Sequence, residues 1–446
     1  MTRVLISKRI VFPDAVRSGC IVVKDNVISE ILPLDARSSF APGYLVEDFE
    51  NDFILPGVVD THVHINEPGR TEWEGFGTAT KSAARGGITT LVDMPLNCIP
   101  ATVSAEALAE KIRACENKIY VDCGFYGGII PGNLNSIEPM VDAGVLGFKS
   151  FMTYSGVDEF PRVDESDMRK ALPFMARQSI PWLMHAELSS KDTDRPHTDP
   201  RSFLTFMNSR PRKWENDAVD LLVQLASEAD VRFHVVHLSS SDALPILAAA
   251  RSRNLKISAE TCHHYLTFAA EEIPDGRTEF KCAPPIREKE NQQKLWDGLK
   301  SGSIDFVVSD HSPCTPGLKL AQEGDFMRAW GGIAGLQLGL SIFFTEAMGR
   351  GIDMVRMCDW LCRKPADFVG LKQKGRIAQG CDADLVIWDE TQSFVVRPEI
   401  LEHRHPVTPY MDRRLHGIVK KTYLRGTPVY ENGNFAGPFG SPLLRK

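Results

Sequence analysis

The chain has 446 residues, of which 43% are hydrophobic and 24% charged, so its composition is that of a folded globular protein and argues against disorder. The formal net charge of −7 gives no basic footprint for nucleic acid, and no apolar run is long enough to cross a membrane. The N-terminal letters MTRVLISKRI lack the apolar core of a secretory signal, and the ten cysteines are scattered without a C-x-x-C pair. We therefore expect a cytoplasmic protein with free thiols and with neither nucleic-acid nor membrane partners.

The two ends of the chain share a β-type character that the middle lacks. Short β-type runs such as Cys20–Val23 occur early, and similar runs such as Ala383–Trp388 occur after about residue 375. We predict that residues 1–52 and 375–446 pair into a small β-sandwich-like domain outside the central domain, which spans residues 53–374.

In the central domain, β-branched runs alternate with amphipathic stretches rich in Ala and Leu. Eight of these runs are predicted strands: Val58–His64, Thr89–Met94, Ile119–Tyr126, Val145–Phe151, Trp182–Ala186, Phe233–Leu238, Ile257–Cys262 and Phe306–Asp310. This alternation predicts an α/β fold, a (β/α)8 TIM barrel, whose active site lies at the C-terminal ends of the strands. The segment Leu188–Trp214, rich in Asp, Ser, Pro and Arg, is expected to be a long loop over the barrel mouth.

The first barrel strand ends in His62 and His64, two histidines separated by one residue. Because side chains repeat every two residues along a strand, both imidazoles point to one face and could hold a divalent metal. Polar residues also end four later strands: Lys149, His185, His237 and Asp310. Each has an ordinary explanation when taken alone, since Asp310, for example, could cap the next helix. Six such residues on five strands together predict a metal centre.

With these residues the chain resembles the amidohydrolase superfamily, specifically its cyclic amide hydrolases with a two-metal centre. The resemblance covers nearly the whole chain and includes the stretch GCDADLVIWD near its C-terminal part. It implies that His62, His64 and Asp310 bind one ion, and that His185 and His237 bind the other. It also implies that Lys149, carboxylated by CO₂ to N6-carboxylysine, bridges the two, because an ammonium group has no lone pair for a cation. The implied cofactor is two Zn²⁺ per subunit, although other divalent metals would suit, and the implied assembly is a homotetramer.

Two motifs narrow the range of substrates that the resemblance allows. Dihydroorotase-like sequences read H-x-H-x-R-E-P-G and M-P-N-T, where the arginine and the asparagine contact a substrate carboxylate; here Asn66 and Leu96 occupy those positions. A site without that arginine loses bidentate recognition of a carboxylate, which favours an uncharged ring substituent. Several runs are instead similar to allantoinases in particular: EPGRTEWEGF, GGITTLVDMPLN, SDHSPC, KCAPPIR and WGGIAG.

The resemblance to allantoinases implies hydrolysis of the hydantoin ring amide of allantoin to allantoate in ureide and purine catabolism. It makes Asp310 the catalytic group that moves the proton from the attacking hydroxide to the leaving ring nitrogen. His264, or less readily His263, could lie behind the metal ligands, where a packing role is equally compatible. The candidate substrate contacts are Asn66, Asn97, Tyr154, Ser312, Gly331 and Gly332.

Two alternatives remain open from the sequence. The first is a hydantoinase or dihydropyrimidinase-type cyclic amidase. The second is a non-catalytic scaffold, which would be expected to lack some of the six ligands.

Overall fold

The computed structural model describes residues 2–189 and 199–445. Its strands are Arg3–Val11 (β1), Val16–Lys24 (β2), Val27–Leu32 (β3), Leu45–Asp48 (β4), Phe53–Pro56 (β5), Val58–Val63 (β6), Ile88–Asp93 (β7), Asp122–Phe125 (β8), Gly127–Gly128 (β9), Phe148–Phe151 (β10), Pro181–His185 (β11), Arg232–Val235 (β12), Ile257–Cys262 (β13), Phe306–Val308 (β14), Leu385–Val395 (β15), Arg414–Leu424 (β16), Thr427–Glu431 (β17), Asn434–Phe435 (β18) and Pro442–Leu443 (β19). Its α-helices are Phe76–Arg85 (α1), Ala105–Cys115 (α2), Ile137–Asp142 (α3), Glu165–Met175 (α4), Phe203–Ser209 (α5), Arg212–Glu228 (α6), Leu244–Ser252 (α7), His263–Thr267 (α8), Lys289–Ser301 (α9), Gly339–Ala347 (α10), Met354–Cys358 (α11) and Lys364–Phe368 (α12).

The central strands form the predicted barrel. Strands β6, β7 and β8 are parallel neighbours, and β9 to β14 form a second parallel ladder in chain order. Only Tyr126 separates β8 from β9 along the chain. A bridge between Val63, at the end of β6, and His311, after β14, links the first barrel strand to the last. The (β/α)8 fold is therefore confirmed, and all eight predicted strands are present. Among the described residues, no helix is both long and apolar enough to span a membrane.

The chain ends meet in one nine-stranded sheet with the order β18-β17-β16-β15-β5-β1-β2-β3, in which β4 also pairs with β1. The predicted pairing of the two ends into a β-rich unit is thus observed. Strand β5 lies between β1 and β15 in this sheet, and only Gly57 separates β5 from the barrel strand β6. A Cβ atom on Gly57 would lie 2.1 Å from Oγ1 of Thr89, so only glycine fits at this junction. The limits of the central domain at residues 53 and 374 stay a prediction.

The loop predicted for Leu188–Trp214 is wrong in its second half. Helix α5 occupies Phe203–Ser209, and α6 begins at Arg212. Helix α5 forms because Phe203, Phe206 and Met207 pack into the core, a periodicity hidden by the polar letters around it. Residues 190–198 of the predicted loop lie outside the described residues.

Candidate metal centre

The H-x-H pair meets Asp310 at the mouth of the barrel. His62 belongs to β6, His64 follows it directly, and Asp310 lies just after β14, the strand that closes the barrel beside β6. Nε2 of His62 is 3.2 Å from Oδ1 of Asp310, and Nε2 of His64 is 3.5 Å from the same oxygen. All three residues are buried, and their donor atoms lie within 4.8 Å of one another. The three residues predicted to share an ion are therefore together.

The remaining candidates come from the next strands of the same barrel. Lys149 lies on β10, His185 ends β11, and His237 follows β12 by two residues. The ring centre of His237 is 5.4 Å from that of His62 and 4.6 Å from that of His185. The ring of His185 stacks at 4.4 Å on Phe151, and Nζ of Lys149 is 4.9 Å from the same phenyl ring. The closed barrel thus brings all six sequence-distant residues to one place.

Two of these residues have backbone conformations that side-chain-bearing residues rarely adopt. His237 has φ +39° and Asp310 has φ +44°, both in the left-handed region. Such conformations cost about 1–3 kcal/mol each and are found where the surrounding structure enforces them, often at functional sites. The backbone turn after each strand aims these two side chains into the cavity.

Burial controls the charge of the centre. The pKa values of His62 and His237 are lowered well below their ordinary value because burial disfavours the imidazolium form, so both rings offer a lone pair. Burial alone would raise the pKa of Asp310, but the histidine pair His62 and His64 holds it below its ordinary value. Asp310 is therefore an anion beside the neutral ring of His62, which is a donor set suited to a divalent cation.

Lys149 is the most informative member of the cluster. Its side chain is fully buried, and Nζ has no hydrogen-bond partner among the described residues. Burial lowers its pKa to about 7, so a large fraction of the amine is neutral near physiological pH. A buried amine with no partner is costly as an ammonium ion, whereas the same amine converted to a carbamate would be a bidentate anion. With the unpartnered Nδ1 of His237, this orphaned amine fits a centre that binds metal ions.

Two carboxylates that the sequence analysis missed orient the histidines. Oε1 of Glu260, on β13, lies 2.5 Å from Nδ1 of His62, and Oε2 lies 3.1 Å from Nε2 of His234. Oε2 of Glu187 lies 2.6 Å from Nε2 of His185. Such partners fix the ring orientation of metal-binding histidines. A charged residue inside the buried run ISAETC was the available signal for Glu260.

A cavity of about 570 Å³ opens above the cluster. Of the candidate substrate contacts, Asn97, Tyr154, Ser312 and Gly331 line it, whereas its described lining does not include Asn66 or Gly332. Nδ2 of Asn97 is 3.3 Å from Nδ1 of His64, which places the amide beside a candidate ligand. Tyr154 is 61% exposed and donates its hydroxyl proton to Oδ1 of Asp158 at 3.0 Å.

The two candidate substrate contacts that do not line the cavity, Asn66 and Gly332, contact Pro313 and Ser312 at its edge. The amide Nδ2 of Asn66 donates to the carbonyl oxygen of Pro313 at 3.2 Å, next to Ser312. A Cβ atom on Gly332 would lie 2.2 Å from the carbonyl oxygen of Ser312, so this position requires glycine.

The cavity contains cations that the motif comparison did not anticipate. Arg210, Lys281 and Arg328 all line it. Arg210 donates to both oxygens of the buried Glu187, so its charge is already balanced. Lys281 donates to the carbonyl oxygens of Met327 and Ala329 at 3.1 and 2.6 Å. Arg328 makes no side-chain hydrogen bond or ion pair among the described residues. Replacing the expected arginine by Asn66 therefore does not leave the pocket without positive groups, although two of the three are engaged with other partners.

Of the two adjacent histidines, His264 is the one near the centre. It lies within 4.8 Å, by donor atoms, of Cys262 and Asp310. His263 faces the other way, where a Cβ atom on Gly339 would lie 2.8 Å from its Nε2.

The barrel and the residues at its strand ends define the class of metal-dependent barrel hydrolases. A model of the amidohydrolase family matches residues 53–429, and the chain belongs to this family. Membership confirms the prediction of a hydrolase.

Close relatives cover nearly the full chain. It is 45% identical over 443 residues to the allantoinase of Streptomyces avermitilis, an alignment that covers 99% of this chain and 98% of that one. It is 43% identical to the allantoinase of Arabidopsis thaliana, with 96% and 88% of the two chains covered. Among solved structures, the L-hydantoinase (dihydropyrimidinase) of Arthrobacter aurescens superposes with a TM-score of 0.92 at 30% identity and covers 99% of both chains. The dihydropyrimidinase of Brevibacillus agri NCHU1002 gives 0.90 at 28% identity, with 100% and 99% covered.

Proposed function

We propose that this hydrolase is an allantoinase, which opens the hydantoin ring of allantoin at the ring amide to give allantoate in ureide and purine catabolism. The observation that carries the proposal is the near full-length similarity to allantoinases from bacteria, plants and yeast, at 45%, 43% and 46% identity. The solved hydantoinases are less similar in sequence, at 30% identity or below for those compared above. A hydantoinase or dihydropyrimidinase activity is the second candidate, and the shared barrel of those structures favours it.

The cofactor we propose is a pair of Zn²⁺ ions. His62, His64 and Asp310 would hold one ion, His185 and His237 the other, and carboxylated Lys149 both. When bound, such ions polarise a carbonyl oxygen and lower the pKa of water toward neutrality. The modification of Lys149 is supported by its burial and its partnerless Nζ: the neutral amine adds to CO₂, forms an N–C bond and loses a proton.

Asp310 is the proposed proton carrier. Its carboxylate lines the cavity and is kept ionised by the neighbouring His62 and His64. It can therefore accept a proton from the attacking water and deliver it to the ring nitrogen as the amide bond breaks. An anion fixed between two imidazoles and the cavity is well placed for both transfers.

The proposed substrate contacts are Asn97, Tyr154, Ser312 and Gly331, which line the cavity. The neutral ureido group of allantoin needs hydrogen-bond partners and no counter-charge, which suits amide, hydroxyl and backbone groups. Asn66 and Gly332 would contribute indirectly, through Pro313 and Ser312.

One assay tests the activity and its rivals together. Allantoin, dihydroorotate, dihydrouracil and 5-substituted hydantoins are offered separately to the zinc-loaded protein. We expect rapid hydrolysis of allantoin and essentially none of dihydroorotate, because Arg210 and Lys281 are already engaged and burying a carboxylate without a dedicated counter-charge costs several kcal/mol. Efficient ring opening of dihydroorotate or dihydrouracil with allantoin inert would overturn the assignment.

We also propose a homotetramer located in the cytoplasm. All ten cysteines are free and buried, which suits a reducing compartment. Light scattering on the purified protein tests the assembly, and a mass of one or two chains would contradict it.

A further inference from the structure

A second group of potential metal ligands lies directly behind Asp310. Cys262 ends β13, His264 lies in the following helix α8, and the donor atoms of both are within 4.8 Å of each other and of Asp310. Cys262 is fully buried and His264 is 1% exposed. This group shares Asp310 with the His62 and His64 cluster but uses none of its other members.

The imidazole of His264 packs against the ring of Tyr265, with ring centres 4.3 Å apart, but within the described part of the chain this contact leaves its two nitrogens without hydrogen bonds. Neither Nδ1 nor Nε2 has a hydrogen-bond partner among the described residues. A buried imidazole usually has at least one partner, because leaving both nitrogens unpaired costs free energy. An ion between His264 and its neighbours would supply the missing partner.

The donor set points to a soft cation. A thiolate, an imidazole and a carboxylate are ligands that zinc accepts, and the sulfur shifts the preference toward heavier, softer ions such as Cd²⁺. Zinc bonds of about 2.0–2.3 Å require the donor atoms to approach one another by roughly an ångström, which side-chain rotation can supply.

We propose that Cys262, His264 and Asp310 form an inhibitory site for soft divalent cations, distinct from the catalytic pair. Binding forms a metal–sulfur bond at Cys262, and the thiol proton leaves to solvent. The ion also binds the carboxylate of Asp310, which in the proposed reaction must accept and release a proton while it holds a catalytic ion, so this proton transfer is blocked. The inhibition rests on the proposed function, whereas the binding does not.

Cadmium ions are the probe. The zinc-loaded protein is titrated with Cd²⁺ while the ultraviolet charge-transfer absorption of a cadmium thiolate, the bound metal per chain and allantoin hydrolysis are recorded. We expect one additional ion per chain, with the absorption rising as hydrolysis falls. Cys262→Ser should lose the absorption entirely, whereas Cys123→Ser, which removes a buried thiol from β8, should keep it. An absorption that persists in Cys262→Ser, or is lost in Cys123→Ser, would overturn the site.

A second variant keeps the thiol and removes the imidazole. His264→Gln should require more Cd²⁺ for half-maximal absorption than the parent protein, and it serves as the test if Cys262→Ser does not fold. An unchanged half-maximal concentration in His264→Gln would overturn the site. A parent protein that shows the absorption but never hydrolyses allantoin would instead overturn the proposed function alone.

Discussion

At the scale of single residues, Lys149 carries the clearest prediction. Lys149→Ala removes the proposed bridging anion, so we expect bound metal and allantoin hydrolysis to be lost together. Short carboxylic acids added to the assay should partly restore turnover by occupying the vacated space. Metal analysis and rate measurements on the same sample check this. A variant with two retained ions and a normal rate would exclude the carbamate.

Asp310→Asn separates proton transfer from metal binding. The amide can still offer an oxygen to a cation but cannot carry a proton, so we expect a loss of about 10²–10⁴-fold in kcat with at least one ion retained. Asp230→Asn, at an exposed position just after α6 that does not line the cavity, is the matched control and should stay close to the parent rate. Near-parental turnover of Asp310→Asn would remove Asp310 from the mechanism.

Glu260 positions a metal ligand through a hydrogen bond. For Nε2 of His62 to face a cation, Nδ1 must carry the ring proton and donate it to Glu260. Glu260→Gln should weaken metal retention by about 10–100-fold, as measured by competition with a chelator. Glu290→Gln, on the exposed face of α9, is the control and should leave metal retention unchanged. Equal retention in both variants would show that Glu260 has no positioning role.

At the scale of elements, the sequence was sufficient to predict strands with a regular apolar pattern. It was insufficient to predict which side chains pair with each other across the barrel. The eight barrel strands follow from alternating apolar runs, and the candidate ligands follow from polar letters at strand ends. Glu260 and Glu187 were missed because a carboxylate inside or just after a buried strand gives no sign of which histidine it meets. Helix α5 was missed because its three buried apolar residues lie among polar ones.

The loop that forms one wall of the cavity depends on two buried lysines. Lys281 holds the carbonyl oxygens of Met327 and Ala329, while Lys319 holds those of Trp330, at 3.1 Å, and Gly332. These lysines satisfy carbonyl oxygens of an irregular segment in which no helix or strand ladder runs. The two lysine side chains therefore hold in place the segment that carries Gly331.

Lys319→Met tests this arrangement. The carbonyl oxygens left unpaired should cost about 1–3 kcal/mol of stability, and the displaced loop should raise KM for allantoin more than it lowers kcat. Metal content should not change, because Lys319 contacts none of the candidate ligands among the described hydrogen bonds. Lys294→Met on the exposed face of α9 is the control. A KM equal to that of the control would contradict a role of Lys319 in positioning this loop.

At the scale of the whole molecule, a buried ionic cluster joins the barrel to the terminal sheet. Nζ of Lys374 lies 2.9 Å from Asp122 on β8, and 2.7 Å from Asp384, which immediately precedes β15. Arg425, after β16, also binds Asp122. The negative charge of Asp122 is thereby paired with two cations, Lys374 and Arg425, that lie about 250 and 300 residues later in the chain.

Lys374→Met should destabilise both units together. Removing one partner of a buried ion pair typically costs about 3–5 kcal/mol, because the opposite charge stays buried without compensation. Chemical unfolding followed by circular dichroism measures this loss, and Lys372→Met, at an exposed position two residues earlier, provides the reference. A midpoint equal to that of Lys372→Met would show that the cluster does not couple barrel and sheet.

The position of β5 between β1 and β15 has a consequence for how the protein is made. Strand β5 is complete once residue 56 has been synthesised, but its second neighbour begins only at Leu385. The entire barrel is therefore translated while one edge of this apolar strand has no partner. Four residues form a short edge, which limits its ability to pair with another nascent chain. A chain truncated before residue 385 therefore contains strands β6 to β14 of the barrel but only five of the nine strands of the sheet.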